Sequence, residues 1–270
     1  MIELGDSSGM GSTMMNDKLN APGLLEKSED VMSNIENTED LDRMNQGVDG
    51  MALEPEIRND VPGCDEAWVT GEPHGSAVKM DFNQGDNPYN AAGNCGLVSI
   101  CNMLRRADSN ITEDDVTRCA ITNGLCDYNP SGDPSDNGGT TLDMRKDVLA
   151  KLGISSDIYP SDNGGSLETI ADAIDSGKGV VISVNAGALW DCDDGSPTFF
   201  GMARSNHCIA VTGIARDAST GEITGVYIAD SGRGMPEDSC RYLTVDEFDE
   251  VYTDVLGSGA NITNEPIMEG

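Results

Sequence analysis

The chain has 270 residues and carries 48 acidic against 16 basic side chains, a formal net charge of −32. That balance excludes a nucleic-acid binder, because a phosphate backbone is repelled over most of such a surface, and it disfavours anionic membranes. Aromatic residues make up only 4 %, so the core must rest on Leu, Ile, Val, Met and Ala, in a chain long enough to bury one without disulfides or metal.

No apolar run reaches the roughly 18 residues that a membrane helix needs. The first residues show no basic segment followed by an apolar one, so no secretory signal is read. The expected location is therefore the cytoplasm, or export by a signal-independent route. Arginine outnumbers lysine, a bias that salt-adapted proteins share, yet the Ile, Leu and Met content is ordinary.

Residues 1–60 are rich in Ser, Gly, Met, Asn and acids, as in "GDSSGMGSTMMND". Such a segment buries too little apolar surface to offset chain entropy, so it is expected to be a mostly disordered acidic arm with a short helix near 38–46. From residue 61 to 270 the pattern is globular. "EAWVT" and "AVKMDF" are expected as short strands. Gly96–Arg106 is expected as a helix, with Leu97, Ile100, Cys101 and Leu104 on one face. A second helix is expected over Ile111–Ala120, where Thr112 and Asp115 have the spacing of a capping box.

A loop of Gly, Pro, Asn and Asp fills 123–139. It ends in "PSDNGG", a string that recurs at 160–165, and each copy precedes a helical pattern, "TTLDMRKDVLAKLG" and "SLETIADAIDSG". A turn with a helix cap used twice explains both, with Thr140 or Thr141 and Ser166 as caps. Three strands follow, "GVVISVN", "HCIAVTGI" and "ITGVYIAD", the last two joined by the hairpin turn "DASTGE". "YLTVDEFDEVYTDVLG" closes the chain as a strand feeding a helix, with Thr244 and Glu247 as a second capping box. Helices come first and an antiparallel sheet second, which makes the fold class α+β.

The eight cysteines contain no C-x-x-C, and with only His74 and His207 as histidines a structural zinc site lacks its spacing. No metal or cofactor is expected. Cys119 and Cys126 are the pair best placed for a disulfide. Cys95 differs from the others because it stands between glycines at a helix start. There, free backbone N–H groups and the helix dipole favour thiolate and can receive a carbonyl oxygen turning negative. A cysteine nucleophile needs a base. His74 lies in a polar loop with no orienting acid, whereas His207 opens a strand. Asp230 ends the next strand of the same hairpin, so it should neighbour His207 and hold its tautomer. Gln84, in "DFNQGDNPYNAAGNC", supplies an amide for an oxyanion. Asn94 is too close to Cys95 in sequence to swing back. The competing reading makes each of these an ordinary surface or loop residue.

The order of Gln84, Cys95-Gly96 at a helix start, His207 at a strand start and Asp230 at the end of the next strand resembles the papain-like cysteine peptidases. "NQGDNPYNAAGNCGLVSICNML", "LETIADAIDSGKGVVISV" and "NHCIAVTGI" are most similar to the bacterial branch of double-glycine leader peptidases, here free-standing. The likeness covers about residues 80–250. It implies a Cys95–His207 pair oriented by Asp230, Gln84 in the oxyanion hole, acylation of Cys95 followed by water attack, and a small residue such as Gly before the cut. It departs from the family in placing Gln84 farther from the cysteine and in lengthening the loops at 123–139 and 186–205. Free-standing relatives include secreted effectors and toxins. The expected partner is a protein or peptide substrate. Deamidation or acyl transfer through the same thioester, and an inactive papain-like binding module, remain the alternatives. A protease that cuts after Gly-Gly would also find such sites in its own loops, at 138–139 and 164–165.

Overall fold

The computed structural model describes residues 53–268 apart from 72, 74–78, 108 and 193–201. The expected arm and its helix near 38–46 lie outside the described residues as far as residue 52, and so does His74. The end of the arm segment joins the fold: the Leu53 N–H donates to the Asp175 carbonyl, and Glu56–Arg58 form strand β1.

The elements in chain order are β1, β2 (Ala67–Gly71), α1 (Cys95–Arg106), α2 (Glu113–Asn123), α3 (Leu142–Lys151), β3 (Ser156–Pro160), α4 (Leu167–Asp175), β4 (Lys178–Val184), α5 (Ala186–Leu189), β5 (His207–Asp217), β6 (Ile223–Ala229), β7 (Arg241–Thr244), α6 (Val245–Phe248) and β8 (Gly259–Pro266). The strands pair antiparallel throughout. The expected α+β class holds, with α1 packed on an antiparallel sheet that carries His207 and leads into Asp230.

Strand β5 is the spine of the sheet. Its eleven residues pair β4 along the first half, β2 along the second and β6 on the other edge. Buried on both faces over His207–Ala215, it reads as a run of apolar and small residues rather than an alternating one. Even-numbered Cys208 and Ala210 face α1, α2 and α3, in a core of Leu97, Ile100, Met103, Val116, Leu149 and Val181. Odd-numbered Ile209 and Val211 face α4 and α6, in a second core with Ile170, Ile174, Ile228 and Phe248.

The caps follow the sequence. Thr112 and Asp115 form their capping box, as do Thr244 and Glu247, while Thr141 and Ser166 cap α3 and α4. Three expectations change. "AVKMDF" is not a strand over its described residues 79–82: the Asn102 side chain of α1 takes both backbone groups of Asp81, at 2.7 and 2.8 Å, as a strand partner would. The C-terminal helix stops at Phe248 and widens into a π turn over Asp249–Thr253. That turn buries both Val251 and Tyr252 and offers the Val251 carbonyl to the Asn185 N–H at the end of β4. Cys119 and Cys126 are free thiols, like the other six cysteines.

The two copies of "PSDNGG" have different structural roles. The second is a turn closed by bonds from Asn163 and Gly165 to the Pro160 carbonyl. The first walls the loop ahead of α1, where Ala92 N–H donates to Pro134 and Gly93 N–H to Asn137. Gly138 there has a φ of +94°, and an added Cβ would lie 2.5 Å from the Asn94 Cβ. Gly138→Ala is therefore expected to cost about 2 kcal/mol, read as a lower urea midpoint at unchanged slope. Gly138 is buried and Gly139 half-buried in this loop.

Candidate active site

Helix α1 begins at Cys95, which is half-buried, and the remainder of its first two turns is buried. Asn94 occupies the N-cap without capping: its side-chain amide donates to Glu113 Oε1 at 2.7 Å and to Thr117 Oγ1 at 3.1 Å. The Cys95 and Gly96 N–H groups consequently have no partner among the described residues. Two uncapped donors at the positive end of a helix are a ready anion site.

Glu113 holds this loop from below. Its Oε1 also accepts from the Gly85 N–H at 2.9 Å and from Asn87 Nδ2 at 2.8 Å, which ties the segment after Gln84 to the segment before Cys95. Burial pushes the Glu113 carboxyl above its ordinary range, and these hydrogen bonds only partly oppose it.

At the far end of the hairpin, Ala210 pairs with Ala229. One more step puts Ile209 beside Asp230, so His207 and Asp230 are diagonal neighbours on one face. His207 Nε2 donates to Asp230 Oδ1 at 2.6 Å. The carboxylate accepts twice more, from Trp190 Nε1 on Oδ2 at 2.7 Å and from the Gly232 N–H on Oδ1 at 2.8 Å. Asp230 is fully buried. Burial alone would raise its carboxyl, yet the interaction with His207 and the hydrogen bonds from Trp190 and Gly232 hold it below the usual range. With Nε2 committed as donor, Nδ1 is left as the acceptor nitrogen, a tautomer assigned from the hydrogen-bond network.

Sequence reasoning missed Trp190. Its indole meets the His207 ring at a centroid distance of 5.0 Å while its N–H holds Asp230. The signal was present in principle: a tryptophan packed inside a fold needs an acceptor for its N–H, but α5 is too short to be read from periodicity. Gly232 makes the arrangement possible, because an added Cβ would strike the Trp190 ring and lie 3.0 Å from His207 Cε1. Gly232→Ala is expected to displace the imidazole and lower kcat/KM about tenfold, roughly 1.4 kcal/mol of barrier.

Gln84 sits between these two parts. Its N–H donates to the Ser231 carbonyl at 3.0 Å, beside Asp230, and its Nε2 to the Ala92 carbonyl at 2.9 Å, three residues before Cys95. The second Nε2 hydrogen has no partner among the described residues.

Cys95 is not hydrogen-bonded to His207 among the described residues. Cys208, the residue after His207 on β5, is the side chain that acts most strongly on the Cys95 thiol, which places that thiol at the same strand end. Cys208 is buried and accepts from Arg145 Nη1 at 3.0 Å. The neighbouring Cys208, more than burial, pushes the Cys95 thiol well up. Cys95 in turn pulls Cys208 down to about 5 against burial, with Arg145, His207 and Ser183 adding to the pull. Cys101, by contrast, is a core thiol that burial pushes up to about 12.

A family model for the Peptidase_C39 like family matches residues 79–257, a span that contains Gln84, Cys95, His207 and Asp230. The chain belongs to that family. Membership relates it to the papain-like cysteine peptidases and agrees with the α+β fold and the helix-on-sheet arrangement. No curated protein is matched by the chain. No described helix is long and apolar enough to cross a membrane, and no described cluster of His, Cys, Asp and Glu is arranged to hold a metal.

Proposed function

We propose that this C39-like chain is a cysteine peptidase in which Cys95 is the nucleophile, His207 the base, Asp230 the residue that orients it, and Gln84 an oxyanion donor. The observation that carries the reading is the convergence of two elements. An uncapped helix start with a half-buried thiol meets a strand end whose imidazole is locked by a buried carboxylate. Nδ1 of His207 takes the thiol proton, which requires Cys95 to turn from Cys208 toward the imidazole, and later gives that proton to the leaving amine. The tetrahedral oxygen is received by the Cys95 N–H and by the second Nε2 hydrogen of Gln84. Water then attacks the thioester with His207 again as base.

The substrate is a peptide with a small residue, such as Gly, before the cut, in line with the double-glycine branch that the sequence resembles. Action as a free-standing effector or toxin is the role proposed with it. The test is incubation of the full chain with a mixed peptide library rich in Gly-Gly sequences, reading cleavage by mass and ammonia release in parallel. New peptide termini without ammonia support the peptidase. Ammonia release without new termini moves the assignment to a deamidase. Neither product, in a folded sample, moves it to a binding module.

A further inference from the structure

Ser231 stands between two parts of the candidate site. Before it comes Asp230, which fixes His207, and after it Gly232, whose N–H donates back to Asp230 Oδ1 at 2.8 Å. The turn that carries these residues is itself anchored. The Asp230 N–H donates to the Asp238 carbonyl at 2.9 Å, and Arg233 grips the Asp238 carboxylate through Nε at 3.0 Å and Nη2 at 2.7 Å. Ser231 and Asp238 are both buried. Farther along the turn, Gly234 has a φ of +67°, and an added Cβ would lie 3.0 Å from the Oδ1 of Asn83, the residue before Gln84.

From this turn Ser231 meets Gln84 twice. Its carbonyl accepts from the Gln84 N–H at 3.0 Å, and its hydroxyl lies 3.4 Å from Gln84 Oε1. The amide orientation decides what the second contact is. The Ala92 carbonyl, 2.9 Å away, can only accept, so Nε2 belongs on that side and Oε1 faces Ser231. A carboxamide oxygen also only accepts, which makes the Ser231 hydroxyl the donor. Both ends of the carboxamide are thereby held, and the hydrogen left over is the second one on Nε2. A contact of 3.4 Å is long for an O–H···O bond, but bonds of a resting site are often long and tighten only in the reacting complex. A donor on Oε1 also polarises the amide and strengthens its N–H groups as donors.

We propose that Ser231 is a positioning residue for the oxyanion site, the link through which the turn that orients His207 also sets the Gln84 carboxamide. The inference rests on Gln84 being the oxyanion donor. Ser231 touches no reacting atom. Its carbonyl fixes the Gln84 backbone, and its hydroxyl fixes which way the amide faces and how strongly it donates. The acid that holds the base and the amide that receives the oxyanion thus share one support, at adjacent residues of one turn.

The test compares the full chain with its Ser231→Ala, Gln84→Ala and Gln84→Ala/Ser231→Ala variants, each first checked for native far-UV dichroism. The kinetic probe is a Gly-Gly amide of aminomethylcoumarin. Ser231→Ala is expected to lower kcat about fivefold at unchanged KM. In the Gln84→Ala background, itself about 100-fold slower, the serine substitution is expected to cost nothing further. A merely structural serine would cost the same in both backgrounds. A second readout needs no turnover. The chain has two glutamines, Gln46 and Gln84, so nitrogen-15 labelling of glutamine gives two side-chain amide pairs in a proton–nitrogen spectrum. Gln84→Ala identifies the Gln84 pair by its loss, and Ser231→Ala is expected to move that pair upfield, as its hydrogens become less polarised. Wild-type kcat in Ser231→Ala, an equal loss in both backgrounds, or an unmoved Gln84 pair overturns the proposal while leaving Gln84 as the donor. Wild-type kcat in Gln84→Ala overturns the oxyanion reading itself, and the positioning role with it.

Discussion

Replacing His207 with alanine is expected to lower kcat/KM for peptide hydrolysis about 10,000-fold, roughly 5 kcal/mol of transition-state stabilisation. The size of the effect follows from what the imidazole does. In the proposed mechanism its Nδ1 takes the proton of a thiol that Cys208 and burial shift above its ordinary range. Cys95→Ala is expected to cost at least as much, and the double variant no more than the larger single loss, because residues that act on one bond act as a unit. Asp230→Asn should keep the fold. It replaces an anion that accepts from His207, Trp190 and Gly232 with an amide, so the imidazole loses the partner that sets its tautomer. Stopped assays on a single fluorogenic peptide check all three. An activity loss in His207→Ala below about tenfold contradicts the assigned role.

The largest effect on stability is expected at Glu113. Glu113→Ala strands three donors at once, the Gly85 N–H and the amides of Asn87 and Asn94, around a side chain only 4 % exposed. At about 1 kcal/mol or more for each unpartnered group, the cost is about 3–5 kcal/mol in urea unfolding. The pH dependence has a definite sign. Burial raises the Glu113 carboxyl in the folded state, so its contribution to stability is fully present below the unfolded value, about 4.3, and fades as pH rises through the folded one. The gap between wild type and Glu113→Ala should therefore widen as pH is lowered from 8 toward 5. A gap that narrows over that range contradicts the raised carboxyl. Activity should fall in the same variant, since Glu113 ties the Gln84–Gly85 turn to Asn94, which precedes the proposed nucleophile Cys95.

The elements that the sequence made legible are those with strong local rules. Thr112, Thr141, Ser166 and Thr244 are read as caps because a hydroxyl before a helical pattern has few other uses, and the β5–β6 hairpin is read from two β-branched runs around a Gly-containing turn. From that hairpin the nearness of His207 to Asp230 followed by register alone. What could not be read depends on contacts distant in sequence. Strand β8, "GANITNEP", has Gly, Asn and Pro where a strand would show an apolar run, and it is a strand because β3 and β4 supply partners on both edges. Asp81 was expected in a strand and instead pairs with a side chain 21 residues away. The same limit hid Arg145. A basic residue in "DMRKD" reads as a solvated helix face, and only the folded sheet brings Cys208 and Asn261 beneath it.

The most direct test of the central claim is intact-mass labelling with limiting iodoacetamide at pH 6, followed by peptide mapping. An ordinary thiol, with a pKa of about 8.5, is almost wholly protonated there. Accessibility alone would send the reagent to exposed Cys192 rather than to half-buried Cys95. A single adduct on Cys95, lost in His207→Ala, is the result expected of an activated nucleophile paired with that imidazole. Slow labelling spread over several cysteines, led by Cys192 and unchanged by the histidine substitution, would make Cys95 an ordinary thiol and contradict the assignment.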